Sequence, residues 1–198
     1  MNNGLETRVL FLCFMLLATT VSSRKELEQI HVLNQQNLKH NISAEEQVQE
    51  GFVSWHYSLE LLEKMHRLAP SIIVKDGENV VGYALVTLKE ACSFHKDLEM
   101  MLAKLEPVKY NGRSLMLYDF YLMGQVCVHK DYRGKGVFDL LYQQHKNMYS
   151  KDYELLITEI AASNTRSIRA HEKVGFKMIY TYHDNKDTWN VVAWNWVG

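Results

Sequence analysis

Residues Gly124–Ser150 read GQVCVHKDYRGKGVFDLLYQQHKNMYS and decide the fold. Residues 125–129 alternate polar and apolar side chains, which predicts a strand. The turn 131–136 (DYRGKG) follows, and apolar residues then recur at helical spacing, at Val137, Leu140, Leu141 and Met148. The stretch therefore predicts a strand that leads through a glycine turn into an amphipathic helix.

A turn of this kind is typical of an anion-binding site. Gly134 and Gly136 let the backbone approach a ligand closely, and the first N–H groups of a helix have no partner within it. Lys130, Arg133 and Lys135 add positive charge where a phosphate would lie. The turn fits neither the P-loop pattern GxxxxGK[ST] nor the dinucleotide pattern GxGxxG. It therefore indicates a phosphate-binding turn of another kind.

The composition limits the classes of protein that need to be considered. A chain of 198 residues with 47% hydrophobic residues is long enough for a single domain with one core. The net charge of −1 provides no basic field that would attract nucleic acid or an anionic membrane. The three cysteines lie far apart, which favours free thiols in a reducing compartment. No two histidines lie three or four residues apart, so no metal site is expected.

The apolar run Val9–Ala18 allows two interpretations. It is too short to span a bilayer, which needs ~20 apolar residues, but it fits the core of a signal peptide followed by the small residues Val21–Ser23. In the alternative, Leu10–Thr20 contains the first, buried strand, after a tail of residues 1–9. We favour the strand, because the leading segment lacks a basic cluster and Ser23 is placed to cap the next helix. A cytoplasmic rather than a secreted protein is then expected.

The rest of the chain alternates helical and strand patterns. Before the glycine turn we predict helices at Arg24–Leu38, from Ser43 and at Leu59–Leu68, and strands at Ser71–Lys75, Asn79–Leu88 and Leu115–His129. After it we predict a strand at Tyr153–Ala161, a helix from Asn164 to Lys173, and a hairpin of Lys177–His183 with Thr188–Trp196.

Two features interrupt this alternation. Residues 89–114 form a long connection with a helical stretch at Leu98–Leu105, and such an insert is often a lid or binding loop, although a surface helix fits as well. Gly124 lies inside the predicted strand Leu115–His129, which indicates a bulge or a close approach of backbones.

The glycine turn resembles a motif of the GNAT acyltransferase superfamily, Q/R-x-x-G-x-G/A, which holds the pyrophosphate of acetyl-CoA. The motif falls on Asp131, Gly134 and Gly136, with Asp131 in place of the usual Gln or Arg. The order of predicted elements is also that of the GNAT fold, over nearly the whole chain.

A second segment, 164–176, is similar to the superfamily pattern N-x-x-A-x-x-x-Y-x-x-x-G-F. Asn164 and the final Gly-Phe agree with it, whereas Ser167 replaces the small Ala and His171 replaces the usual Tyr. The resemblance implies an α/β (α+β) fold, a central mixed β-sheet with helices on both faces, in a single domain of residues 1–198.

The resemblance also implies an acetyl-CoA-dependent N-acetyltransferase, which moves an acetyl group to a primary amine by direct transfer in a ternary complex. In the family, the strand before the turn pairs with the pantetheine arm of the cofactor, and a backbone N–H faces the thioester oxygen. The residues expected to bind acetyl-CoA are Val126, Cys127, Val128, Arg133, Gly134, Lys135, Gly136, Val137, Phe138, Asn164 and Ser167.

Two residues are candidates for proton transfer. His171 matches the position from which the family's Tyr protonates the departing thiolate, and an unperturbed imidazole is roughly a quarter protonated at neutral pH. Glu159 is an acid inside an apolar strand, where burial would raise its pKa toward that of a general base. A structural role fits each of them as well, and Asp119 and Tyr121 are other candidates for the base.

Other readings of the whole chain stay open at this point. A catalytically silent CoA-binding regulatory module is the alternative to an enzyme, and a secreted domain of unrelated function requires a real signal peptide. The sequence selects no particular amine acceptor, and it does not distinguish a monomer from a homodimer.

Overall fold

The computed structural model describes residues 16–185 and 187–197, which form a seven-stranded mixed sheet with helices on both faces. The strands are β1 (Leu17–Thr20), β2 (Ile72–Asp76), β3 (Asn79–Thr87), β4 (Lys109–Tyr110), β5 (Arg113–Ser114), β6 (Phe120–Val128), β7 (Leu155–Ala161), β8 (Lys177–His183) and β9 (Thr188–Asn195). The helices are α1 (Arg24–Gln36), α2 (Ala44–Glu50), α3 (Leu59–Leu68), α4 (Lys96–Leu105), α5 (Val137–Tyr149) and α6 (Thr165–Val174).

The order of strands across the large sheet is β1-β2-β3-β6-β7-β9-β8, while β4 and β5 form a separate small hairpin. All neighbours in the sheet are antiparallel except β6 and β7, which are parallel. One buried cluster packs α1 and α3 against the sheet, and a second packs α5 against the other face. This confirms the predicted mixed sheet with helices on both faces.

Local capping signals account for the helix boundaries. α1 and α2 each begin with a capping box, in which the Ser23 or Ser43 side chain accepts from the backbone of the Glu three residues later. α3 has the bounds predicted for it. α6 begins at its cap Asn164 and ends at Gly175, whose φ of 115° only glycine adopts without strain.

The first strand is present but is not buried. β1 pairs only with β2 and therefore lies at the edge of the sheet, and Leu17 is 58% exposed. The prediction of a buried strand within Leu10–Thr20 was thus wrong about burial, because an edge strand has a neighbour on one side only. Val21, which follows the strand, is buried, and its N–H donates to the Ser71 carbonyl at 2.9 Å. The start of the apolar run lies outside the described residues, and the cytoplasmic location stays a prediction.

The predicted long strand Leu115–His129 begins later than expected. Leu115–Leu117 form a 3-10 turn, closed by a 3.0 Å bond from the Tyr118 N–H to the Leu115 carbonyl, and β6 starts at Phe120. The turn buries Leu115 while it leaves Leu117 63% exposed, an arrangement that apolar residue types alone do not reveal.

The glycine inside β6 marks a bulge, as predicted. The register with β3 shifts between the Ala84–Val126 pair and the Val86–Met123 pair. Gly124 and Gln125 therefore lie opposite one residue of β3, Leu85. A Cβ on Gly124 would lie 2.6 Å from the hydroxyls of Thr87 and Tyr57. Only glycine fits this close approach.

The C-terminal ends of β6 and β7 lie apart, and this gap between the strands, here called the fork, positions the candidate active site. The two strands pair only from Phe120–Leu122 to Leu155–Ile157, and their C-terminal ends then separate. The Thr158 hydroxyl donates to the Met123 carbonyl at 2.9 Å, just past the last pair. The glycine turn follows the end of β6, and the cap of α6 follows the end of β7, so both lie at the mouth of the fork.

Candidate active site

The glycine turn presents free backbone donors. Gly134 and Gly136 have φ of 73° and 79°, in the left-handed region that favours glycine, and Gly136 caps α5 without a side chain. The N–H groups of the first turn of α5 lack partners within the helix. A Cβ added to either glycine would meet no atom within 4 Å, so the surface of the turn is open to a ligand.

A cavity of about 460 Å³, here called the turn cavity, lies between this turn and the start of α6. Nearly all of the predicted cofactor-binding residues line it: Val126, Cys127, Val128, Arg133, Gly134, Gly136, Val137, Phe138, Asn164 and Ser167. Lys135 is the exception. Its side chain is exposed and lies 5.2 Å from the centre of the Tyr132 ring, outside the lining of the cavity.

The positive charge of the turn cavity comes mainly from α6, whose basic residues were not among those predicted to bind the cofactor. Arg166, Arg169 and Lys173 line the cavity, and their spacing of three and four residues places them on one face of the helix. Arg133 is held in place by three bonds, to the Val128 carbonyl (3.2 Å), Glu50 (3.3 Å) and Asn37 (2.7 Å). Arg166 is engaged in a similar way, because it lies 3.5 Å from the same Glu50 and donates to the Gln49 carbonyl at 3.0 Å. The spacing R-x-x-R-x-x-x-K in the sequence is the pattern that could have predicted this basic face of α6.

The end of β6 has one free edge. Its other edge pairs with β3, and the His129 N–H donates to the Val81 carbonyl at 2.8 Å. Because backbone groups alternate in direction along a strand, the N–H groups of Val126 and Val128 point away from β3, toward the fork. The Val128 carbonyl accepts from Arg133 on that side. An extended ligand can therefore pair with β6 as an added strand would.

A second cavity of about 320 Å³, here called the fork cavity, lies between the separated ends of β6 and β7. Five residues line both cavities: Phe52, Val53, Val126, Asn164 and Ser167. The cap residue Asn164 holds this junction together, because its Oδ1 accepts from the Ser167 N–H (3.2 Å) and its Nδ2 donates to the Phe52 carbonyl (3.0 Å). Two ligands in the two cavities would therefore meet beside Asn164.

The insert 89–114 supplies one wall of the fork cavity. α4 contributes Leu98, Met101 and Lys104 to the lining. This position supports the interpretation of the insert as a binding segment, while a lid movement stays a prediction.

Glu159 lies in the fork cavity with a pKa suited to proton transfer. Burial raises the pKa of its carboxyl from 4.5 to about 7, and the bond that Oε2 accepts from the Tyr182 hydroxyl (2.8 Å) only partly offsets this. Its other oxygen, Oε1, is buried and has no hydrogen-bond partner among the described residues. With a pKa of about 7, both the ionised and the protonated form of Glu159 are present near neutral pH.

His171 lines the fork cavity too, but it is held as a neutral ring. Its Nδ1 lies 2.8 Å from the Ser167 carbonyl, which can only accept, so Nδ1 carries the proton and Nε2 accepts from the Tyr142 hydroxyl at 2.6 Å. Burial lowers its pKa to about 4. The expectation of a quarter-protonated imidazole was therefore wrong, since desolvation disfavours the charged ring.

The other two candidates for the base lie away from the fork. Asp119 is exposed at the start of β6, and neither it nor Tyr121 lines either cavity. Tyr121 is fully buried, and its hydroxyl bonds Nδ1 of His145 at 2.8 Å.

A network of hydrogen bonds holds the loop between α2 and α3, which contains Trp55 and Tyr57 and lines the fork cavity. Gln125 in the bulge donates to the Trp55 carbonyl (2.9 Å) and accepts from Asn34 and Tyr83 (2.6 Å each). Asn34 also accepts from the Tyr57 N–H at 3.2 Å. These residues are far apart in the chain, so no local sequence pattern indicates that they meet.

The described residues contain no group of three or more His, Cys, Asp or Glu that could hold a metal ion. No helix in the part of the chain that the structure describes is long and apolar enough to cross a membrane.

The structure has a fork between two parallel strands, and a glycine turn beside it begins a helix. This arrangement is the one expected of the GNAT acyltransferases. The chain matches the model of the Acetyltransferase (GNAT) family over residues 37–176 and belongs to that family. No curated protein matches the chain.

Several solved structures have a similar fold at low sequence identity. Ard1 from Thermoplasma volcanium has a TM-score of 0.63 at 13% identity, over 92% of this chain and 99% of that one. The ribosomal-protein-S18-alanine N-acetyltransferase from Escherichia coli has a TM-score of 0.60 at 12% identity, over 91% and 94%. The protein yncA from Salmonella typhimurium, solved with acetyl-CoA, has a TM-score of 0.58 at 14% identity, over 91% and 93%. These similarities establish the fold.

Proposed function

We propose that this protein is an acetyl-CoA-dependent N-acetyltransferase that passes an acetyl group directly to a primary amine in a ternary complex. One observation carries the proposal. A cavity suited to a phosphate-bearing cofactor joins, beside Asn164, a cavity that holds a carboxyl group with a pKa of about 7. The acetyl donor and the amine would react at that junction.

The turn cavity would hold acetyl-CoA through backbone and cationic groups. The diphosphate binds to the N–H groups at the start of α5, and Arg166, Arg169 and Lys173 neutralise further phosphate charge. The pantetheine arm pairs with the free edge of β6 at Val126 and Val128. The solved yncA structure with acetyl-CoA, which shares this fold, is consistent with that use of the site.

Glu159 would act as the general base for the amine. An alkylamine with a pKa of ~10 arrives protonated and must lose a proton before it attacks. Raising the carboxyl pKa from 4.5 to about 7 brings it closer to that of the ammonium, which lowers the cost of the transfer by about 3 kcal/mol. Oε2 accepts from the Tyr182 hydroxyl and Oε1 has no hydrogen-bond partner among the described residues, so the carboxylate takes the proton directly or through a water molecule.

The backbone of β6 and the start of α6 would assist the remaining steps. A backbone N–H at the end of β6 stabilises the oxyanion that forms when the amine nitrogen attacks the thioester carbon. When the C–S bond breaks, the thiolate takes up the second proton of the nitrogen. The Ser167 hydroxyl, at the junction of the cavities, donates a hydrogen bond to the departing sulfur.

His171 would position Ser167 and is a poor direct acid. Its pKa of about 4 leaves it neutral, and a relay from Tyr142 would form a buried phenolate, whose pKa burial raises well above 10. Nδ1 of His171 lies 2.8 Å from the Ser167 carbonyl and 3.3 Å from its hydroxyl, contacts that hold this part of α6.

Transfer through an acetylated cysteine is disfavoured. Cys127 lines the turn cavity, but burial raises the pKa of its thiol to about 12, so almost none of the nucleophilic thiolate is present at neutral pH.

The test is the release of CoA thiol from acetyl-CoA in the presence of a broad panel of amines, with the acetylated product identified by mass. The proposal predicts amine-dependent thiol release. Binding of acetyl-CoA without transfer to any amine would contradict it and would indicate a CoA-binding regulatory module.

A further inference from the structure

A bulge in β8 decides which face of the sheet Tyr182 occupies. The register with β9 shifts by one residue between Met178 and Tyr180, and Tyr182 then pairs with Trp189. Because side chains alternate between the two faces of a strand, the unshifted register would place Tyr182 on the opposite face. Bulges beside functional sites often turn a side chain in this way. The bulge therefore points to a role for the Tyr182 side chain.

The face that Tyr182 shares with Trp189 also bears Glu159. On β7, Glu159 pairs with Val191, which lies two residues from Trp189 on β9 and therefore on the same face. Because β9 lies between β7 and β8, the two outer strands are ~10 Å apart, and only long side chains can bridge them. The Tyr182 hydroxyl does so and donates to Oε2 of Glu159 at 2.8 Å. Both residues line the fork cavity.

The Tyr182 hydroxyl is always the donor in this bond. Burial and the neighbouring Glu159 raise the pKa of Tyr182 well above 10, so the phenol keeps its proton near neutral pH. A phenol that donates to a carboxyl group favours its ionised form over its neutral form. Within the described part of the chain, Oε1 of Glu159 has no hydrogen-bond partner. The orientation of the carboxyl group therefore depends on Tyr182.

We propose that Tyr182 is a positioning residue for the general base: its hydroxyl holds the Glu159 carboxyl in place at the fork cavity and stabilises its ionised form. This inference rests on the proposed acetyl transfer and explains how a buried carboxyl stays able to take a proton from the amine. Burial alone would favour the neutral acid, which cannot act as a base. No proton passes through Tyr182, because the phenol stays protonated.

The other charged and titratable groups around Glu159 come from several elements. Burial raises the pKa of Glu159 most, Asp184 after β8 raises it further, and Lys104 of α4 lowers it. The remaining groups of this kind that line the fork cavity, among the described residues, are Lys39, Tyr57, Asp97, His171 and Asp187. A conservative substitution of Tyr182 keeps all of these groups, so a changed titration of Glu159 can be assigned to the lost bond.

The first experiment removes the hydroxyl and keeps the ring. In Tyr182→Phe, the ¹³C carboxyl signal of Glu159 should titrate about one pH unit higher than in the wild type, as the loss of one hydrogen bond to the ionised form implies. The signal is assigned by its absence in Glu159→Gln. Tyr180→Phe is the matched control and should leave the titration unchanged, because Tyr180 is exposed on the same strand and lines neither cavity. An unchanged titration in Tyr182→Phe would overturn the inference.

The second experiment follows turnover with pH. The rate of Tyr182→Phe is divided by that of the wild type at each pH, which cancels the titration of the amine itself. A shift of about one pH unit in Glu159 should make this ratio ~10-fold lower than one at pH 6 and bring it close to one at pH 9. A loss of the same size at every pH would indicate a merely structural role and would overturn the inference.

Two further outcomes distinguish this inference from the function on which it rests. Amine-dependent acetylation together with an unchanged Glu159 titration in Tyr182→Phe would contradict the role of Tyr182 and leave the acetyltransferase function standing. Transfer to no amine at all, although acetyl-CoA binds, would contradict the proposed function itself and the inference with it.

Discussion

The two cavities that meet at the fork are built in different ways. The turn cavity is lined by the segment 126–139, whose glycine turn presents backbone N–H groups, by one face of α6 and by Asn37 and residues 50–53. The fork cavity is made of side chains from α4, from the ends of β6 and β7, and from two loops. A site of backbone groups is sensitive to changes that alter its shape, whereas a site of side chains responds to changes of charge and pKa. Mutations in the two halves should therefore have separable effects.

The largest expected effect is the loss of cofactor binding in Gly134→Asp. A side chain and a negative charge would then occupy the open surface of the turn, at a φ of 73°. Acetyl-CoA at ~100 times its dissociation constant should stabilise the wild type by about 2.7 kcal/mol and should not stabilise the variant. Turnover should fall to background.

Gly77→Asp is the control for backbone strain. Gly77 lies in the turn between β2 and β3, has a φ of 58°, and likewise has open space around its Cβ position. It lines neither cavity, so the thermal shift with acetyl-CoA should survive. Equal shifts for wild type and Gly134→Asp would refute the location of the cofactor site.

The next effect concerns the fork cavity. Glu159→Gln removes the base and keeps an oxygen that can accept from Tyr182. Turnover should fall by ~10²- to 10⁴-fold above pH 7, where the wild-type carboxylate is ionised, and the difference should shrink as pH falls below 7, where the wild-type group is protonated. Affinity for acetyl-CoA should not change, because Glu159 does not line the turn cavity. A pH–rate profile that is unchanged by the substitution would remove Glu159 from the mechanism.

The same variant should be more stable than the wild type at alkaline pH. The folded-state pKa of Glu159 is about 7, whereas its unperturbed value is 4.5, so between these values the folded chain holds a proton that the unfolded chain has released. The wild type therefore loses stability as pH rises through this window. Relative to the wild type, Glu159→Gln should gain up to about 3 kcal/mol between pH 4.5 and pH 8. Urea unfolding at the two pH values measures the gain, and a constant difference would contradict the raised pKa.

The smallest effect on turnover is expected from a substitution of Ser167, where the two cavities meet. Ser167→Ala should lower kcat by about tenfold, the loss expected for one hydrogen bond to a charged atom, with little change in KM for acetyl-CoA. Ser93→Ala is a control, because Ser93 is exposed, lines neither cavity, and its hydroxyl donates to the Glu90 carbonyl at 2.9 Å. Full activity of Ser167→Ala would remove the hydroxyl from the proposed departure of the thiolate.

The contrast between the cavities also explains what the sequence could predict. The glycine turn, its helix and the Asn164 cap follow from neighbouring residues, so their positions were predicted correctly. The neutral state of His171 depends on its burial, and residues that bury it, such as Tyr142 29 residues away, come close only in the folded chain. The α4 wall of the fork cavity likewise depends on how the insert packs. The position of Glu159 was easier to predict, because an acid within an apolar strand is a local signal.

The most direct test of the account follows an isotopically labelled acetyl group from acetyl-CoA. Protein incubated with labelled acetyl-CoA alone should show no acetyl adduct by intact mass, because Cys127 is buried and its pKa is about 12. Addition of an amine acceptor should then move the label to the amine nitrogen in step with CoA release. Label that accumulates on Cys127, or that never leaves bound acetyl-CoA for any amine, would contradict direct transfer between the two cavities.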